Sequence, residues 1–108
     1  MSETEIVFSK NWSKLNQQMF TTLRKSKKAQ EGEVVKIYNR PNVDVFPARC
    51  LLVMKFTLAQ LSTYLLCVDT DTKSRTAAIA EIQQFYSKQL TDDTIFYLHL
   101  FQKEDPDQ

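Results

Sequence analysis

Residues 33–56 read EVVKIYNRPNVDVFPARCLLVMKF, and this run decides the fold class. Residues 33–38 predict a strand, because Val35 and Ile37 flank Lys36 in the alternation of a half-buried sheet. Residues 39–44, NRPNVD, are turn chemistry, since Pro and Asn interrupt both helix and sheet. Residues 45–56 then form the longest apolar strand of the chain. Pro47 is expected at its start or at an edge, having no N–H to give to a ladder. Downstream, Thr57 opens T-L-A-Q, the pattern of a capping box. Leu58, Leu61, Leu65 and Val68 follow at helical spacing and predict a helix over residues 57–67. DTDTK, residues 69–73, interrupts it. Residues 74–88 predict a second helix with Ala78, Ile79, Ile82, Phe85 and Tyr86 as its apolar stripe. The last strand, residues 95–102, is apolar on both faces and so belongs inside a sheet.

Upstream, residues 5–8 predict a short strand. Ser9 is placed to cap a helix over residues 10–18, with Trp12, Leu15 and Met19 on one face. FTTL, residues 20–23, reads as extended. RKSKKAQ, residues 24–30, reads as a basic loop, and the only glycine, Gly32, supplies the turn behind it. The order β-α-β-β-β-α-α-β does not alternate as a doubly wound parallel sheet would. It predicts an α+β fold: a small, mostly antiparallel sheet curled into a β-barrel closed by helices. Val35, Ile37, Leu51, Val53, Leu98 and Leu100 are its expected core. A length of 108 residues suits one domain over 1–108, with 103–108 as a frayed tail.

Composition narrows the function classes. Apolar residues make up 43% and charged residues 25%, which argues against a disordered chain. No apolar run approaches the roughly 18 residues of a membrane span, so no membrane partner is expected. The start, MSETEIVFSK, is acidic and polar, unlike a secretory or transit leader, and a cytoplasmic location is the expectation. Cys50 and Cys67 lie in apolar runs and read as small buried hydrophobes rather than a disulfide. One histidine and no CxxC leave no zinc-ligand pattern, and neither metal nor cofactor is expected.

Charge is distributed unevenly. Residues 10–49 hold nine basic side chains against three acids, a balance of +6, although the whole chain carries only +1. That asymmetry suits a polyanionic partner. Arg24 offers a planar fork of donors for a phosphate or a base edge. Lys25, Lys27 and Lys28 place three mobile ammonium groups beside it, as a phosphate-tracking surface requires. Phe20 and Tyr38, on flanking strands, present rings on which an unstacked base can lie. Competing with this are a solvated loop, with Arg24 paired to Glu33 or Asp71, and aromatics that simply fill the core.

QQMFTTLRKSKKAQEG, residues 17–32, passes from helix to strand to basic loop to glycine, and here the chain resembles an ASCH domain, a small relative of the PUA domain. That family carries G-x-K-x-x-E-x-R between its first helix and the next strand. Aligned on Arg24, the motif falls on Gln17, Met19 and Thr22, so only the Arg is kept. AQEGEV (residues 29–34), T-L-A-Q-L after the long strand, and a helix ending in Phe85 and Tyr86 extend the resemblance over most of the chain. The resemblance implies a PUA-like barrel binding RNA or a nucleotide-like ligand in a basic cleft lined by Thr22, Arg24 and Lys25. Some ASCH proteins instead hydrolyse the amide of N4-acetylcytidine with a Lys, a Thr and a carboxylate. On that pattern Thr22 stands for the nucleophile and Asp71 for the carboxylate. The lysine position is Met19, whose thioether takes no proton at neutral pH, so little or no hydrolysis is expected unless Lys25 or Lys27 substitutes. A third reading is a protein-interaction module that presents its basic face to an acidic partner. His99, alternating with Tyr97 and Phe101, reads as a partly buried, hydrogen-bonded structural histidine rather than a catalytic base. Asp69 and Asp71 resemble a metal clip but lack a third ligand, and read as helix-capping groups ahead of Ser74.

Overall fold

The computed structural model describes residues 4–8 and 13–104. Five strands form one mixed sheet: β1 (Glu5–Phe8), β2 (Met19–Arg24), β3 (Val34–Asn39), β4 (Asp44–Thr57) and β5 (Ile95–Lys103). Their spatial order is β1-β3-β4-β5-β2. β1 runs parallel to β3 and every other pair is antiparallel. The sheet curls into a half-barrel, and two helices, α1 (Thr63–Thr70) and α2 (Arg75–Gln83), complete the α+β fold. β4 and β5 have a neighbour on both sides, as the apolar run of residues 95–102 anticipates. β1 and β2 are the edges.

Register sorts side chains between two cores. Phe20, Phe101 and Cys50 stand opposite one another on β2, β5 and β4, and Val35 stands opposite Ala48. These residues, with Ile6, Phe8, Leu15 and Ile37, form one buried cluster. Leu23, Leu98 and Phe96, an odd number of residues away from Phe20 and Phe101 along their strands, point the other way. They form a second cluster with Leu58, Leu61, Leu66, Ala78, Ile82 and Leu90.

Leu100, expected in the core, is half-buried and belongs to neither cluster, and Leu51 does not join the core either. It is the extra residue of a bulge between Cys50, opposite Phe101, and Leu52, opposite Leu100, and is 37% exposed. The bulge reverses the alternation, so Ala48 and Cys50 are followed inward by Val53. Pro47 occupies the fourth position of a central strand. Its carbonyl accepts from the Glu104 N–H just where β5 ends, so its missing donor faces no ladder partner.

The capping box at Thr57 forms, but it closes only a 3₁₀ turn, Leu58–Gln60. The Leu58 and Ala59 N–H groups donate to Thr94 and Asp92, and Arg75 donates to the carbonyls of Leu58 and Leu61. With those groups taken, the helix restarts at Ser62, whose hydroxyl accepts from the Leu65 N–H. The buried stripe shifts accordingly: Leu66 is fully buried and Val68 is 47% exposed. α2 starts at the Ser74 cap as expected but stops at Gln83, five residues short. The Gln83 amide donates to the carbonyls of Tyr86 and Lys88 and accepts from the Leu90 N–H, folding the chain back.

The expected helix over residues 10–18 is replaced by one 3₁₀ turn, Ser13–Asn16, while Ser9, Lys10 and Trp12 lie outside the described residues. Gln18 exchanges hydrogen bonds with Lys103, which draws Met19 into β2. At the other end, Lys103 belongs to β5, and Glu104 pairs with Arg49 at 2.6 Å.

Candidate nucleotide-binding cleft

β2 is an edge strand, and groups from both of its faces meet along its free side. Thr22 and Arg24 project from one face, Leu23 from the other. Across from them stand Val7 and Phe8 of β1, the end of α1 with Asp69 and Thr70, and the turn after α2 with Tyr86. Together these enclose a cleft of about 350 Å³.

Arg24 ties the two sheet edges together. Its Nε donates to Thr22 Oγ1 at 3.0 Å and its Nη2 to the Val7 carbonyl at 3.2 Å. The guanidinium lies 5.0 Å from the centre of the Phe8 ring. Burial lowers its pKa, opposed by Tyr86 and Asp69. It pairs with neither Glu33 nor Asp71; Glu33 instead accepts from Thr4 and the Gln30 N–H.

Beneath it sits a buried ion pair that sequence reasoning missed. Lys14 Nζ donates to Asp69 Oδ1 at 3.0 Å, and Thr21 Oγ1 donates to the same oxygen at 2.7 Å. Asp69 is therefore a partner of Lys14 and not a cap ahead of Ser74, which caps α2 itself. Burial pushes the Lys14 pKa below its ordinary value, while the charge and hydrogen bond of Asp69 pull it back up.

His99 is hydrogen-bonded as expected but fully rather than partly buried, and it holds the basic loop. Its Nε2 accepts from the Lys28 N–H at 3.0 Å, so the ring proton sits on Nδ1, which has no partner among the described residues. The ring stacks on Phe101, and burial lowers its pKa. This anchor brings Lys28 to the cleft, and Lys25 extends its Nζ to 4.4 Å from the Tyr86 ring centre. Lys27 is exposed and does not line the cleft. Tyr38 stands on β3 between Val7 and Val45, away from it. Phe20 is packed in the core against Phe101, so its faces are taken. The aromatic side chains lining the cleft are Phe8, beneath the Arg24 guanidinium, and Tyr86 with Phe85 beside it.

Asp71 is not near Thr22. It ends α1 in the left-handed conformation, φ 56°, its N–H donating to the Cys67 carbonyl. With Met19 and Thr21 it lines a second hollow of about 490 Å³ that shares Lys14 with the first. The proposed trio of residue 19, Thr22 and Asp71 is thus split between two hollows: Thr22 lines the first, Met19 and Asp71 the second.

Cys50 is buried and Cys67 half-buried, both as free thiols. Among the described residues no group of three or more His, Cys, Asp or Glu is placed to hold a metal ion. Among them, too, no helix is long and apolar enough to cross a membrane. Comparison of the chain with protein-family models, with curated proteins and with solved structures found no match in any of the three.

Proposed function

We propose that the protein binds a nucleotide, free or at the end of an RNA strand, in the cleft around Arg24. The observation that carries this is the charge of the lining: Lys14, Arg24, Lys25 and Lys28 against one carboxylate, Asp69, beside the Tyr86 ring. Cations favour a phosphate, and an aromatic face favours a base. The volume falls in the range of small-ligand sites, roughly 300–1,000 Å³, and suits one nucleotide better than a tracked strand. The resemblance to ASCH domains and their PUA-like barrel points to the same ligand class. Thr22 serves here as the acceptor that aims Arg24 into the cleft.

Calorimetric titration with AMP, CMP and a short oligoribonucleotide tests this. Binding is expected at low salt, weakened about tenfold or more by Arg24→Ala and restored only in part by Arg24→Lys, which keeps the charge but not the fork. Absence of binding at low salt, or binding indifferent to both substitutions, overturns the proposal.

A second reading, amide hydrolysis on an N-acylated nucleoside, is favoured by one observation. Lys14, with its lowered pKa, shares the cleft with Thr22 and Asp69, which supplies a basic group that Met19 cannot. Release of cytidine from N4-acetylcytidine, abolished by Lys14→Met in a variant that remains folded, supports that reading; silence of the wild-type protein removes it.

A further inference from the structure

We infer that Asp69 is a specificity-determining residue that selects nucleotides whose base carries an exocyclic amino group; this rests on the nucleotide reading of the cleft. The two carboxylate oxygens of Asp69 are used unequally. Oδ1 accepts from both Lys14 Nζ and Thr21 Oγ1. Oδ2 accepts from no described residue, although Asp69 is only 4% exposed and lines the cleft. A carboxylate oxygen in this position can only accept a hydrogen bond. Oδ2 is thus the oxygen left open to the cleft, and a ligand that displaces solvent from it must supply an N–H or leave a carboxylate oxygen unpaired.

Depth decides which part of the ligand meets it. Lys25 and Lys28 are exposed and take the phosphate at the mouth, which leaves the base to reach the buried carboxylate. An amino group projects beyond the ring and turns an N–H outward. The ring N–H of uracil lies between two carbonyl oxygens, whose lone pairs would face the carboxylate. Sites built around such a buried polar group reject analogues that leave it unpaired.

The test compares four nucleoside monophosphates on the wild-type protein by calorimetry: CMP against its counterpart with hydrogen at position 4, and AMP against its counterpart with hydrogen at position 6. Each pair differs by the amino group alone. The amino-bearing member is expected to bind roughly ten- to a hundredfold tighter in both pairs, the effect of one hydrogen bond to a charged group. Equal affinities within both pairs overturn the inference and leave the nucleotide reading standing, whereas no binding by any of the four overturns both. Asp69→Asn is expected to erase the preference. If that variant does not fold, the Lys14→Met/Asp69→Asn double variant, with no uncompensated charge, replaces it. A preference that survives in whichever of them folds overturns the inference.

Discussion

The two hollows beside β2 share Lys14 and lie within one residue of each other along the strand, yet they are chemically unlike. The first gathers Arg24, Lys25, Lys28 and the Lys14–Asp69 pair around about 350 Å³. The second, at about 490 Å³, is walled by Met19, Tyr64, Val68 and Leu100. Thr21 and Thr22 mark the divide. The side chain of Thr22 accepts from Arg24, and that of Thr21 donates to Asp69. The smaller hollow holds charges that already have structural partners and still face a cavity.

The sharpest way to break this contrast is Asp69→Ala, which leaves Lys14 buried without its counter-charge. A loss of about 3–5 kcal/mol in urea-unfolding stability is expected, as for other buried pairs cut on one side. A loss below about 1 kcal/mol would mean that the pair is effectively solvated, as surface pairs are.

His99 ties the basic loop to the core and has the next effect. Its folded pKa lies below the ordinary value of about 6.5, so the unfolded chain takes up a proton before the folded one does. Stability is thus full above about pH 6.5 and falls as the pH drops toward the folded pKa. The slope is at most about 1.4 kcal/mol per pH unit. Denaturation midpoints measured from pH 7.5 to 5 are expected to show this fall, and His99→Gln to flatten it.

Smaller still are the loop lysines. Lys25 and Lys28 line the cleft and Lys27 does not. Lys25→Ala and Lys28→Ala should each lower the salt slope of nucleotide or RNA binding by roughly one unit, with Lys27→Ala near zero. Equal effects from all three would mean that the ligand lies across the loop and not in the cleft.

No effect at all is expected from Met19→Lys on hydrolysis of N4-acetylcytidine, because residue 19 lines the second hollow and Thr22 the first. Turnover created by that substitution would show the two hollows to be one site.

Much of this was legible in the chain itself. The alternation of Val35 and Ile37 about Lys36, the turn at Pro41, and the doubly apolar run of residues 95–102 determined the strands, because a strand's faces are set by a period of two. Ser74 and the capping box at Thr57 were legible too, since caps act within four residues. Arg24, Lys25 and Lys28 were legible as a basic cluster, the absence of Lys27 from the cleft was not, and a structural His99 followed from its place on the last strand although its full burial did not.

Only the tertiary structure decided the rest. The bulge at Leu51 is a mismatch between two strands, invisible in either. The early end of α2 depends on Gln83 capturing Tyr86, Lys88 and Leu90, and the break after Thr57 on Arg75 and on the backbone at Thr94. Lys14 and Asp69 are 55 positions apart, and nothing local pairs them. The one hint was an aspartate directly after the apolar run LLCV, a place where a charge must find a distant partner or leave the core. Which faces of β2 meet which elements depends on its being the edge strand. Along that edge the far end of β2, from Thr22 to Arg24, lines the basic cleft, and its start, from Met19 to Thr21, lines the second hollow.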